Sequence, residues 1–207
     1  MQEITDRTGW CGGNSLSFVI QSSGANLASR FPKSFDDNAS DSPTLRITYD
    51  SVTIPATASR CILKEYVASI SSSENDAEEK DSGNHSMNLT SSDIEMINDG
   101  GTDQLVGLRF EGINIPNASV IKGAYISFSA DGSSSDATSL TIKGEDSDSA
   151  DVFSSSRRDI SDRTLTSASK GWSSIASWTS GDWYDSPDLS TIVKEIVDRP
   201  GWVPGGD

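Results

Sequence analysis

The sequence predicts an all-β protein: an antiparallel, jelly-roll-like β-sandwich with one short helix near the C-terminus. Three observations carry this reading. Apolar residues recur at every second position in several short stretches, which is the period of a half-buried strand. Gly-, Asp- and Ser-rich turn signals separate those stretches. One stretch, late in the chain, has helical spacing. Many short strands punctuated in this way favour a sandwich over a parallel sheet.

In chain order, Leu16, Phe18 and Ile20 alternate with Ser17, Val19 and Gln21 and predict a strand with one strongly apolar face. Residues 22–43 are polar, with Phe31 and Phe35 as anchors. Leu45, Ile47 and Tyr49 predict a second half-buried strand. Residues 51–60, with Pro55 and small side chains, read as a linker. Ile62, Tyr66, Ala68 and Ile70 predict a strand leading into the acidic run 74–79, followed by polar loop and short strand over 80–93. Asn98-Asp99-Gly100-Gly101 signals a turn. Val106/Leu108/Phe110, Ala124/Ile126/Phe128 and Leu140/Ile142 predict three further strands. Residues 147–187 hold Trp172, Trp178, Trp183 and Tyr184 among Ser, Asp and Gly. The helix follows: Ser186 as cap, Pro187 at the first helical position, and Asp188 near the positive end of the dipole. Leu189, Ile192, Val193 and Ile196 form one apolar stripe, and Pro200 and Gly201 end the helix.

The end of that helix is a repeat. Residues 194–202, KEIVDRPGW, match residues 2–10, QEITDRTGW, at Glu, Ile, Asp, Arg, Gly and Trp in register. Such a match predicts a tandem array of which this chain spans about one period. Residues 1–50 read as the C-terminal strands of one unit, 51–60 as linker, and 61–207 as the N-terminal and middle part of the next. Together they make one sandwich, within a chain or between chains. An orphan strand exposes apolar side chains and unpaired backbone groups. The expected partners are therefore copies of this chain or adjacent repeats, met head to tail.

Composition narrows the function classes. The 207 residues carry 16 Lys+Arg against 31 Asp+Glu, a net charge of −15, which argues against a nucleic-acid surface. No run of 18 apolar residues occurs, so no membrane insertion is expected. The acidic, Ser/Asp-rich surface fits a secreted or cell-surface protein. Cys11 and Cys61 read as one disulfide in an oxidising compartment, with two buried free thiols as the alternative. Asn38, Asn84, Asn88 and Asn117 head Asn-x-Ser/Thr sequons. His85 is the sole histidine, and no nucleophile, paired-carboxylate or phosphate-cradling signature accompanies it, so a non-catalytic protein is expected.

Two acidic runs are candidate calcium sites, because calcium takes six to eight oxygens. The first is Glu74, Asp76, Glu78 and Glu79, completed by a late acid such as Asp50. The second is Glu145, Asp146, Asp148 and Asp151. Neither has EF-hand spacing, and a solvated acidic loop is the alternative for both. Trp172, Trp178, Trp183 and Tyr184 are candidates for carbohydrate binding if exposed, and core anchors if buried.

Residues 74–79, Leu89-Thr90-Ser91-Ser92-Asp93-Ile94-Glu95, Val106-Gly107-Leu108-Arg109-Phe110, Gly144-Glu145-Asp146, and Pro187 with Asp198-Arg199-Pro200-Gly201-Trp202 together carry a resemblance. The chain resembles repeat modules of very large secreted bacterial proteins, the DNRLRE-type and alginate-associated carbohydrate-binding-module β-sandwiches. The order is permuted, with 61–207 first and 1–50 last. The resemblance implies a jelly-roll sandwich, a bound calcium, and a place in multi-domain surface proteins or beside polysaccharide-degrading domains. The expected function is a non-catalytic extracellular structural or adhesive repeat that polymerises head to tail by strand complementation into a filament or stalk. The alternative is a calcium-stabilised carbohydrate-binding module attached to a polysaccharide-degrading enzyme.

Overall fold

The structure, a computed structural model, describes residues 14–22, 29–50 and 63–205. The first copy of the repeat, the linker, and both Cys11 and Cys61 lie outside the described residues. The fold is a sandwich of two antiparallel sheets with one helix near the C-terminus. Its strands are β1 (Asn14–Ser22), β2 (Thr44–Asp50), β3 (Leu63–Ser69), β4 (Asp76–Lys80), β5 (Met87–Asn88), β6 (Asn98–Asp99), β7 (Thr102–Ile113), β8 (Val120–Ser129), β9 (Leu140–Glu145), β10 (Leu165–Trp172) and β11 (Trp183–Asp185); helix α1 is Ser190–Val197. The larger sheet runs β10-β9-β1-β7-β4-β5, with β6 also on β7; the smaller runs β11-β8-β2-β3.

The opening segment supplies an interior strand to each sheet. β1 lies between β9 and β7, with Phe18 opposite both Gly144 and Leu108. β2 lies between β3 and β8, with Ile47 opposite Tyr66 and Ala124. Phe18, Ile20, Leu45 and Ile47 are fully buried and meet Leu108, Phe110, Ile126 and Phe128 in the main core. Without these strands the flanking ones would expose both apolar faces and open hydrogen-bonding edges.

The alternation predicts half-buried strands, but the larger sheet is covered on both faces. Residues 146–164 fold back over its outer side, where Val19, Ala77, Leu105, Phe153 and Ile160 form a second apolar cluster. Phe153 sits so close over Gly107 that any Cβ there would run into its ring. Arg163 lies 4.3 Å over the Phe153 ring and bonds Glu145 at 2.8 Å. Buried Arg109 ties the same loop down, donating to the Ala150 carbonyl at 2.7 Å and to Asn75 at 2.7 Å. β4, which begins within the acidic run, pairs with β7, and β10, absent from the sequence reading, pairs with β9.

Helix α1 packs its predicted stripe. Leu189, Ile192, Val193 and Ile196 are all fully buried, each worth about 1.5–3 kcal/mol of apolar burial. Gly144 permits this approach, since a Cβ there would stand 2.6 Å from Ile196 and 2.8 Å from Ile192. The cap differs from expectation. Ser186 is not a cap: its backbone and hydroxyl bond Ile126 and extend the sheet. Asp188 accepts instead from the Ser190 N–H at 3.0 Å and the Ala124 N–H at 3.1 Å.

Candidate functional site

The first acidic run is strand, and the pleat divides it. Side chains of a strand alternate between faces. Asp76 and Glu78, opposite Leu108 and Val106, share the face that carries those residues into the core. Glu79, opposite Leu105, stands on the outer face. There its carboxylate is fully buried and accepts from the Ile160 and Ser161 N–H groups at 2.9 and 2.8 Å, with His85 Nδ1 at 3.1 Å. Glu74 is exposed. Asp50 closes β2 opposite Leu63 and Val120; its side chain is outside the described set. The four predicted ligands of the run therefore do not converge.

Asp76 and Glu78 meet residues that the sequence reading did not assign to a metal site. Asp76 Oδ2 accepts the Phe35 N–H at 2.8 Å, and Glu78 Oε1 accepts the Glu95 N–H at 2.6 Å. Both line a small cavity with Ser34, Asp36, Ser91 and Asp93. Burial pushes the Asp76 carboxyl up to about 7, with nearby Asp36 adding to the shift. Burial, with Glu95 beside it, pushes Glu78 up to about 9. Burial and the Glu95 and Asp131 charges also raise Asp93. Asp36 and Asp93 are not read as ligands from the sequence, because separate segments bring them to the site; Asp93 belongs to the run 89–95 that carries the resemblance, and Asp36 has no signal beyond the adjacent Asp37.

The second run is answered by arginine. Glu145 pairs with Arg163, and Asp146 and Asp148 both pair with Arg199, the latter at 2.8 Å. Asp151 is exposed. This explains the repeated string around Asp198. Arg199 grips the second run, and Gly201 lies so close to the Asp148 carboxylate that a Cβ would collide with it. Trp202 donates Nε1–H to the Ile115 carbonyl at 2.9 Å. Asn117 donates to the Val197 and Arg199 carbonyls at 2.8 and 3.0 Å, while Asp198 pairs with Lys194. Among the described residues, no three His, Cys, Asp or Glu side chains already stand as a metal cage.

Three of the four aromatic candidates face inward. Trp178 is 2% exposed and stacks on Tyr184 at 4.8 Å, and Trp172 stacks on Phe128 at 6.1 Å. Trp183 alone is open, 48% exposed, on the outer face of the smaller sheet. That face also carries Tyr125 with Arg46 over its ring at 5.9 Å.

The second copy of the repeat ends beside the strand with which β1 pairs. The register match continues past Trp10 and Trp202 to Gly13 and Gly205. The Gly205 N–H bonds the Ile113 carbonyl at 2.9 Å, and Ile113 is the residue opposite Asn14, where β1 begins. The second copy thus delivers the chain to the point at which the first copy, in sequence, enters β1.

No protein-family model matches this chain, and no curated protein or solved structure matches it at a significant level.

Proposed function

We propose that this chain is a non-catalytic structural repeat of an extracellular assembly, joined to copies of itself by strand complementation. The supporting observation is the meeting of Gly205 and Asn14 at Ile113. A chain continuing beyond Gly205 with a further copy of the repeat would run straight into the β1 position, and then into β2. Each sandwich then corresponds to residues 63–205 followed by the counterparts of 14–50. Interior strands supplied by a separate segment can come from the same copy or from a neighbour, and a head-to-tail exchange of this kind does not close. Arrays of such units build length, as adhesins and stalks require. The test is to unfold the protein in urea and refold it at rising concentration, reading mass by light scattering. A ladder of dimers and longer species that grows with concentration is expected. A strictly monomeric product at every concentration contradicts complementation between copies.

A second reading, a carbohydrate-binding module, draws support from Trp183 and Tyr125 on the open sheet face. Retardation in polysaccharide gels that disappears in Trp183→Ala favours it; unchanged mobility removes it.

A further inference from the structure

Asp76 is 4% exposed, yet its Oδ1 has no hydrogen-bond partner. A buried carboxylate oxygen left alone is costly, and such groups are ordinarily paired or bound to metal. Around it the described ion pairs reach none of Asp36, Asp76, Glu78, Asp93 or Glu95; the neighbouring Lys33 is engaged by Asp37 and Asp41. The cavity that Asp76 and Glu78 line has a volume of about 10 Å³, room for one water-sized body. Neutral polar residues line it as well: Asn88, and Ser91, whose carbonyl accepts from Ser34 Oγ at 2.5 Å.

We infer that this cavity, which Ala77, Leu89 and Ile94 also line, holds one hard divalent cation, calcium by the oxygens of its polar lining, with Asp76 Oδ1 and Glu78 as the inner carboxylates. Asp36 and Asp93 supply outer charge, and neutral oxygens and water complete the shell. Calcium tolerates such mixed and flexible coordination, whereas magnesium demands a near-ideal octahedron. The ligand set differs from the acidic run read in the sequence: Glu74 and Glu79 are excluded by exposure and by the pleat. Ser34 and Asp36 belong to the opening segment, and Asp76, Glu78 and Asp93 to the later body. The ion therefore clasps the segment that completes the sandwich to the body that receives it. The two inner carboxylates both belong to the later body and stay together if strands pass between copies; Ser34 and Asp36 would then come from the neighbouring chain.

The experiment is calorimetric titration of chelator-stripped full chain with Ca²⁺, then with Mg²⁺, paired with thermal melts. One calcium per chain and a rise in melting temperature are expected. Asp76→Asn removes the buried charge and is expected to fold and to melt, without calcium, no lower than the parent. It should nevertheless lose calcium affinity by roughly a hundredfold or more and show no calcium-dependent rise. Glu78→Gln is expected to behave likewise, and Asp151→Asn, on the exposed part of the other run, to bind as the parent does. No heat and no shift with either ion would overturn the inference, as would undiminished binding by Asp76→Asn.

Discussion

Residues 74–79 and 145–151 are written in nearly the same alphabet, yet they fold to opposite electrostatic ends. In the later run arginines answer the acids: Arg163 meets Glu145, and Arg199 meets Asp146 and Asp148. In the earlier run the pleat sends Glu79 outward to two backbone amides and leaves Asp76 and Glu78 together on the inner face, without a described cationic partner. Carboxylate density therefore says little by itself. What lies opposite each side chain decides whether an acid is fastened by a cationic partner or buried without one.

The contrast within β4 is the easiest to break. Glu79→Ala strands the Ile160 and Ser161 N–H groups, at about 1–3 kcal/mol for each buried donor left unpaired, so urea melts should show a loss of several kcal/mol. Glu78→Gln keeps the shape and replaces a carboxyl that holds its proton up to about 9 with a neutral amide, and should cost less than about 1 kcal/mol or stabilise. Equal losses from the two would erase the distinction between the faces.

A smaller effect sharpens it through pH. In the presence of chelator, Asp76 and Glu78 keep their protons up to about 7 and about 9. The unfolded chain gives them up near pH 4. The folded state then binds more protons than the unfolded state across that window, so stability falls as pH rises. The melting temperature in chelator should decline from pH 5 to pH 8, and Asp76→Asn should flatten the decline. A rising or flat profile in the parent contradicts the assignment.

The smallest effect belongs to the arginine-answered run. Arg199→Ala breaks two half-exposed pairs and should cost about 1 kcal/mol or less, shrinking as salt is added. A salt-insensitive loss of several kcal/mol would show that this run, too, behaves as buried charge.

How much of this was legible follows from what each element uses to hold itself. β1, β2, β7, β8 and β9 carry Phe, Leu and Ile at alternate positions and could be read directly, as could the stripe of α1. β4 could not, because DAEEK has one apolar residue and buries carboxylates instead. β10 lies at a sheet edge with few apolar side chains, so LTSASKGW carries almost no alternation. The covering of the larger sheet's outer face was invisible as well, since it depends on where a long loop lands; Val19 and Arg109 were its faint traces. For the candidate site, the acidic run drew attention to Asp76 and Glu78. The pleat that separates them from Glu79 follows only once the run is known to be strand, and Asp36 and Asp93 arrive through tertiary folding alone.

The most direct measurement is a thermal melt of a rearranged chain in which residues 63–205 come first and Gly205 is joined directly to Asn14, ending at Asp50, with residues 1–13 and 51–62 removed. If the sandwich is one repeat unit read in permuted order, this chain folds as a monomer and melts in one cooperative transition within about 5 °C of the parent. A chain that fails to fold, or that melts without cooperativity, contradicts the unit on which the proposed assembly depends.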